Sequence, residues 1–206
     1  MIQKLVDTMI NKQIEKKVLK TEEIRIYQYG YILLYEVVLN LIFALNIGLI
    51  FGELKMISFF LFMYIPLRSF CGGWHADKIW KCTIISNIIL LLQILGERFL
   101  AQNIVIYMII GLFVFCLISI LHMAPVETES KKINTNERRI YKKRIYCITL
   151  IQAVVFVVLV LVDAKKYIFS MSYVYVVQNA MLVLEMLKNV TVQKMCDEKS
   201  VNTNLL

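Results

Sequence analysis

Charge is what this sequence has least of. Only 18% of its 206 residues are Asp, Glu, Lys or Arg, while 59% are hydrophobic, against roughly 45–50% apolar in ordinary soluble domains. Windows of about twenty residues pass almost without a charge, which excludes a water-soluble fold, because that needs polar faces at helical or strand period. Proline and histidine number two each, so breaks in the apolar runs and candidate bases are both few. Five cysteines, an odd number without regular spacing, exclude the paired framework of a secreted disulfide scaffold and leave reduced thiols as the expectation. No basic stripe interleaved with stacking aromatics lies outside the apolar runs, so the net charge of +8 belongs to a membrane surface and not to nucleic acid. No repeat or low-complexity linker divides the chain, and no cleavable signal is expected, since a charged segment of about twenty-five residues precedes the first apolar run. A single membrane domain over 1–206 is predicted.

What the chain does have is six apolar windows: Tyr27 to Ile50, Met56 to Phe70, Cys82 to Leu95 or as far as Leu100, Ile104 to Met123, Ile145 to Val162 and Tyr167 to Leu187. They predict an all-α polytopic membrane bundle of about six transmembrane spans across 27–187. A cytoplasmic segment, 1–25, precedes it and a cytoplasmic tail, 188–206, follows. In the first segment Ile2, Leu5, Val6, Met9 and Ile10 share one helical face with lysines on the others, the pattern of an interfacial amphipathic helix. With the N-terminus inside, six crossings leave only Lys55, Arg98, Lys165 and Lys166 of the 23 Lys and Arg outside, as the positive-inside bias requires. Both termini then face the cytoplasm. "HMAPVETESKKINTNERRIYKKR", after the fourth window, reads as a solvated cytoplasmic loop with a polybasic end. The second and third windows are short for the ~20 residues that a ~30 Å hydrocarbon core asks.

Between those two short windows lies "FCGGWHADKIWKC", residues 70–82, on the cytoplasmic side. A thiol with a pKa of about 8.5 is only a few per cent thiolate near pH 7, so a nucleophilic cysteine needs a base or a positive environment. His75 is a candidate base for Cys82. Lys78 and Lys81 add positive charge, and the start of the third span, with Asp77 as its candidate N-cap, adds free N–H groups and the helix dipole. Spacing sets a condition. On one straight helix the seven-residue step from His75 to Cys82 climbs about 10.5 Å, too far for proton transfer over roughly 3 Å. Gly72 and Gly73 supply a turn that folds His75 back, and Pro66 upstream discourages a regular helix. The short spans then fit a site sunk at the inner interface.

Other readings of these residues stay open. Cys71 is a rival nucleophile four residues from His75. Cys71, His75 and Cys82 could hold zinc, but C-x3-H-x6-C lacks a fourth ligand. Neither metal nor cofactor is predicted. Cys116 and Cys147, in apolar spans, read as packed thiols. Glu36, with Asn40 one helical turn on, should face the bundle interior because a carboxylate in lipid is costly. Arg68 is its candidate partner, or a fork for a substrate carboxylate. Gln93, Gln152, Gln178 and Asn179 are candidate hydrogen-bonding ties between spans.

"RSFCGGWHADKIWKC" and the later "APVETESKKIN" resemble the accessory gene regulator protein B (AgrB) family of quorum-sensing endopeptidases, and the likeness runs over nearly the whole chain. The resemblance implies Cys82 as nucleophile and His75 as its base, with Arg68 and Gly73 at further motif positions. It also implies a bacterial plasma-membrane enzyme acting on an AgrD-like precursor, with an amphipathic leader, a signal segment and an acidic tail. Cys82 would release the tail, hold the signal as an acyl thioester, and yield it to an internal thiol or hydroxyl that closes a thiolactone or lactone. The basic residues of the site and the loop suit an acidic tail. The other expected partner is lipid, and a homodimer is compatible with so small an enzyme. A non-enzymatic transporter or peptide exporter running past Glu36 and Arg68 is the alternative reading, and a structural adaptor a third.

Overall fold

The computed structural model describes residues 24–74, 79–99, 106–127 and 134–203, and these form helices joined by short connections. The helices are α1 Ile24–Ile50, α2 Leu54–Cys71, α3 Ile79–Phe99, α4 Ile106–Met123, α5 Thr135–Leu161 and α6 Lys165–Thr203. Five stretches, Leu54–Cys71, Trp80–Phe99, Ile106–Met123, Thr135–Leu161 and Lys165–Thr191, are long and apolar enough to cross a membrane, and Leu34–Ile50 adds a shorter apolar length of α1. The protein is an all-α, multi-pass membrane bundle. The predicted amphipathic helix of residues 2–19 lies outside the described residues.

Helix α6 is the hub. It packs against α4 and α2 and also touches α3 and α5, and Ile168, Met171, Val174, Tyr175 and Leu182 along it are fully buried. Large apolar side chains such as Phe62, Phe115, Leu150 and Ile151 point outward instead, as lipid requires. Because lipid tails are as apolar as leucine, helices in a bilayer are held together by close packing and by polar ties. The ties are present. Gln93 Nε2 donates to Ser170 Oγ at 2.8 Å, Gln152 Nε2 to the Met63 carbonyl at 2.7 Å, and Tyr175 Oη to Gln152 Oε1 at 2.9 Å. Ser119 Oγ bonds Asn179 Oδ1 at 3.3 Å, and the rings of Phe113 and Phe156 stack at 3.7 Å. All four predicted amides thus tie helices or, for Gln178 below, a helix to a turn.

The four exceptional basic residues gather at one end of the bundle. Lys55, Lys165 and Lys166 stand at or beside the α1–α2 and α5–α6 turns, Arg98 ends α3, Lys166 pairs with Glu53 at 2.5 Å, and Arg98 Nη2 donates to the Phe51 carbonyl at 3.1 Å. Arg68, Lys81 and the basic start of α5 lie at the opposite end.

Several expectations need correction. The second and third spans are longer than expected, at 18 and 21 residues, because α2 takes in Leu54, Lys55 and Cys71, and α3 takes in Ile79–Lys81 at its start and runs on to Phe99 at its end. Pro66 does not interrupt α2. A proline removes one backbone bond, here to the Phe62 carbonyl, and helices in a membrane bundle tolerate that loss. The basic run is not all loop. Asn134 caps α5 in a capping box with Glu137, so Arg138, Arg139, Lys142, Lys143 and Arg144 are helical. Ala124, Pro125 and Val126 are buried instead of solvated, because Val126 N–H bonds the Cys71 carbonyl at 3.2 Å. The tail continues α6 as helix to Thr203. Cys147 is exposed and not packed, while Cys116 is buried.

Candidate active site

The glycine pair ends α2 and is fastened from every side. Gly72 has φ 73° and ψ −150°, a region that only glycine enters at low cost, and Gly73 has φ 115°. A Cβ on Gly72 would stand 2.7 Å from the Val126 carbonyl oxygen, and one on Gly73 would meet Arg68 Nη1 at 2.5 Å and the Met181 carbonyl oxygen at 3.1 Å. Close approach of backbone is therefore what both positions require. The Gly72 carbonyl accepts from Arg68 Nη1 at 2.8 Å and from Gln178 Nε2 at 3.0 Å. Trp74 N–H donates to the Met181 carbonyl at 2.9 Å, and the Trp74 carbonyl accepts from Arg68 Nη2. Arg68 thus spends two N–H groups on the main chain of the turn. It is not the ion-pair partner of Glu36 that the sequence suggested, because the turn's carbonyls are nearer donors' targets at the end of its own helix.

Beside this turn lies a cavity of about 220 Å³ between α1, α2 and α3. Glu36 and Asn40 of α1, Tyr64 and Arg68 of α2, Trp74 of the turn, and Cys82 and Ser86 of α3 line it, with Met181 of α6 at its edge. The rest of its wall is aliphatic and aromatic, including Phe60, Ile85 and Leu90. Cys82 lies in the first turn of α3, which starts at Ile79, and its thiol is half-buried. Glu36 and Ser86 line the same cavity beside it. Glu36 is only 6% exposed, as its predicted inward orientation demands, yet its Oε1 has no hydrogen-bond partner, and neither has Asn40 Oδ1. Two buried acceptors therefore open onto the space next to a thiol.

The structure thus brings Cys82, Arg68, Glu36, Gly72 and Gly73 to one place. Lys81 does not line the cavity; it is exposed, with Nζ 5.7 Å from the Trp80 ring centroid. Cys71 faces the other way, fully buried at 0% exposure in the core, which removes it from the cavity. His75, Asp77 and Lys78 lie outside the described residues. Sequence reasoning missed Tyr64, Trp74, Ser86 and Met181. Ser86 follows Cys82 by one helical turn and Tyr64 precedes Arg68 by one, a spacing that puts each pair on a common face.

These features define a class: a multi-pass α-helical membrane protein with a half-buried cysteine in a cavity at one end of its bundle. The chain belongs to the Accessory gene regulator B (AgrB) family, which it matches over residues 2–186. It is similar to an AgrB-like protein of Clostridium perfringens strain 13, 30% identical over 123 residues, 57% of this chain and 58% of that protein. It is also similar to an AgrB-like protein of Listeria monocytogenes EGD-e, 28% identical over 164 residues, 78% of each chain. The alignment thus spans less than two thirds of the Clostridium relative. No solved structure matches the chain.

Proposed function

We propose that this chain is a cysteine endopeptidase of the bacterial plasma membrane that matures an AgrD-like signal precursor for quorum sensing. The observation that carries the reading is Cys82, half-buried in a cavity that Arg68 and Trp74 of the glycine turn also line, with His75 next after Trp74 in the sequence. His75 takes the Cys82 proton, the thiolate attacks the carbonyl at the end of the signal segment, and His75 returns the proton to the amine of the departing acidic tail. The first-turn N–H groups of α3, which lack intrahelical acceptors, stabilise the oxyanion. The acyl group stays on Cys82 as a thioester. A thiol or hydroxyl within the signal segment then displaces Cys82 and closes a thiolactone or lactone ring. The apolar wall of the cavity supports this order of events, because excluding water protects the thioester from hydrolysis to a linear product.

Arg68, Gly72 and Gly73 position the turn, with Lys78 and Lys81 adding positive charge. The basic start of α5 suits the acidic tail, and Arg144 lies over the Phe70 ring at 5.2 Å, beside the end of α2. Both termini and the site face the cytoplasm in this reading, by the segregation of basic residues along the bundle, and residues 1–206 act as one membrane domain. The test is co-expression with an AgrD-like precursor. Cys82→Ala and His75→Ala each abolish tail release, and cutting by either variant refutes the assignment. A second reading, a non-enzymatic transporter or peptide exporter, draws on the unpartnered oxygens of Glu36 and Asn40 in the cavity. It requires Cys82→Ser to keep full function.

A further inference from the structure

The thioester must be opened by a second nucleophile, and the reaction as described so far leaves Glu36 without a role. Its Oε1 is buried without a hydrogen-bond partner, and it lines the same cavity as Cys82. The group that next attacks the acyl carbon must enter that cavity beside Cys82 Sγ, within reach of the carboxylate. Building on the endopeptidase reading, we propose that Glu36 is the catalytic base of the ring-closing step, distinct from His75, which serves the cleavage step.

The protons and electron pairs balance. The internal S–H or O–H of the bound peptide gives its proton to the Glu36 carboxylate as its heteroatom bonds to the thioester carbonyl carbon. The tetrahedral adduct collapses, the bond from carbon to Cys82 Sγ breaks, and the leaving sulfur takes the proton back from Glu36. The ring leaves, and the free thiol and the carboxylate are restored. Asn40 Oδ1, one turn along the same helix and equally unpartnered, accepts a backbone N–H of the peptide and holds its internal nucleophile on the Glu36 side.

The experiment uses the full chain co-expressed with an AgrD-like precursor that carries one internal cysteine. Glu36→Gln keeps the size and polarity of the side chain but removes the base. Expected is a ring-closing rate that falls about 100-fold relative to tail release in the same protein, as loss of a general base gives, and an acyl adduct on Cys82 in the intact mass. Release of that adduct by hydroxylamine identifies the thioester, and it is counted per acylated protein, so a misfolded fraction does not enter. Glu36→Asp, which keeps the carboxylate, restores part of the ring closure. Parental ring closure by Glu36→Gln, equal loss of tail release and ring closure, or an Asp variant no better than the Gln variant overturns the role of Glu36. If Cys82→Ala still releases the tail, the endopeptidase reading itself fails, whatever Glu36 does.

Discussion

Replacing Gly72 by alanine isolates the turn that carries the site. The residue sits at φ 73° and ψ −150°, and holding a non-glycine residue there costs about 1–3 kcal/mol. The new Cβ would also lie 2.7 Å from the Val126 oxygen, a backbone atom that cannot swing aside. Relieving that clash moves Val126 off the Cys71 carbonyl, which loses a hydrogen bond worth about 1 kcal/mol. Together these amount to about 2–4 kcal/mol, or roughly a 30- to 700-fold rise in the population with the turn detached. Amide hydrogen exchange at Trp74, whose N–H is bonded to the Met181 carbonyl, reads that population directly in bilayer nanodiscs. We expect its exchange to accelerate by that factor while amides in the middle of α5 keep their parental protection. A Gly72→Ala protein with Trp74 as protected as in the parent would refute the argument that the glycine is demanded by backbone geometry.

Cys71→Ala leaves precursor processing unchanged, because Cys71 is sealed in the core away from the cavity; mass mapping of the tail fragment checks this, and its loss would reinstate Cys71 as a rival nucleophile. Gln152→Leu strands the Tyr175 hydroxyl and frees the Met63 carbonyl, and should lower stability by about 0.6–2 kcal/mol in unfolding by denaturant. Lys166→Gln removes only a partly exposed pair with Glu53 and should cost less than about 1 kcal/mol by the same assay. Neutralising Arg138, Arg139, Lys142 and Lys143 together should raise KM for an acidic-tailed precursor and flatten its dependence on ionic strength, with little change for a precursor whose tail is neutral.

The spans were legible because lipid imposes one rule on every residue that faces it, and the helix ends fall within a few residues of the apolar windows except at two places. The start of α5 was hidden by its own basic side chains, since hydropathy stops where lipid stops while the helix does not; the Asn134 and Glu137 spacing was the readable signal of a capping box. The far part of α6 was hidden for the same reason, with no proline or glycine after Leu187 to end it. At the site, Cys82, Arg68 and Glu36 were visible as reactive or charged groups in unlikely company. Tyr64, Trp74 and Met181 carry no such label. Their place in the cavity depends on which faces of α1, α2 and α3 meet, and on α6 reaching back across the chain, neither of which a local pattern encodes.

That reach has a consequence for biosynthesis. The hairpin of α2 and α3 is made early, yet the acceptor of the Trp74 amide and one of the two donors to the Gly72 carbonyl lie on the last span, at Met181 and Gln178. A nascent chain with five segments in the bilayer holds its bend by Arg68 and Val126 alone, so on the proposed function a product truncated before Gln178 is expected to be inactive.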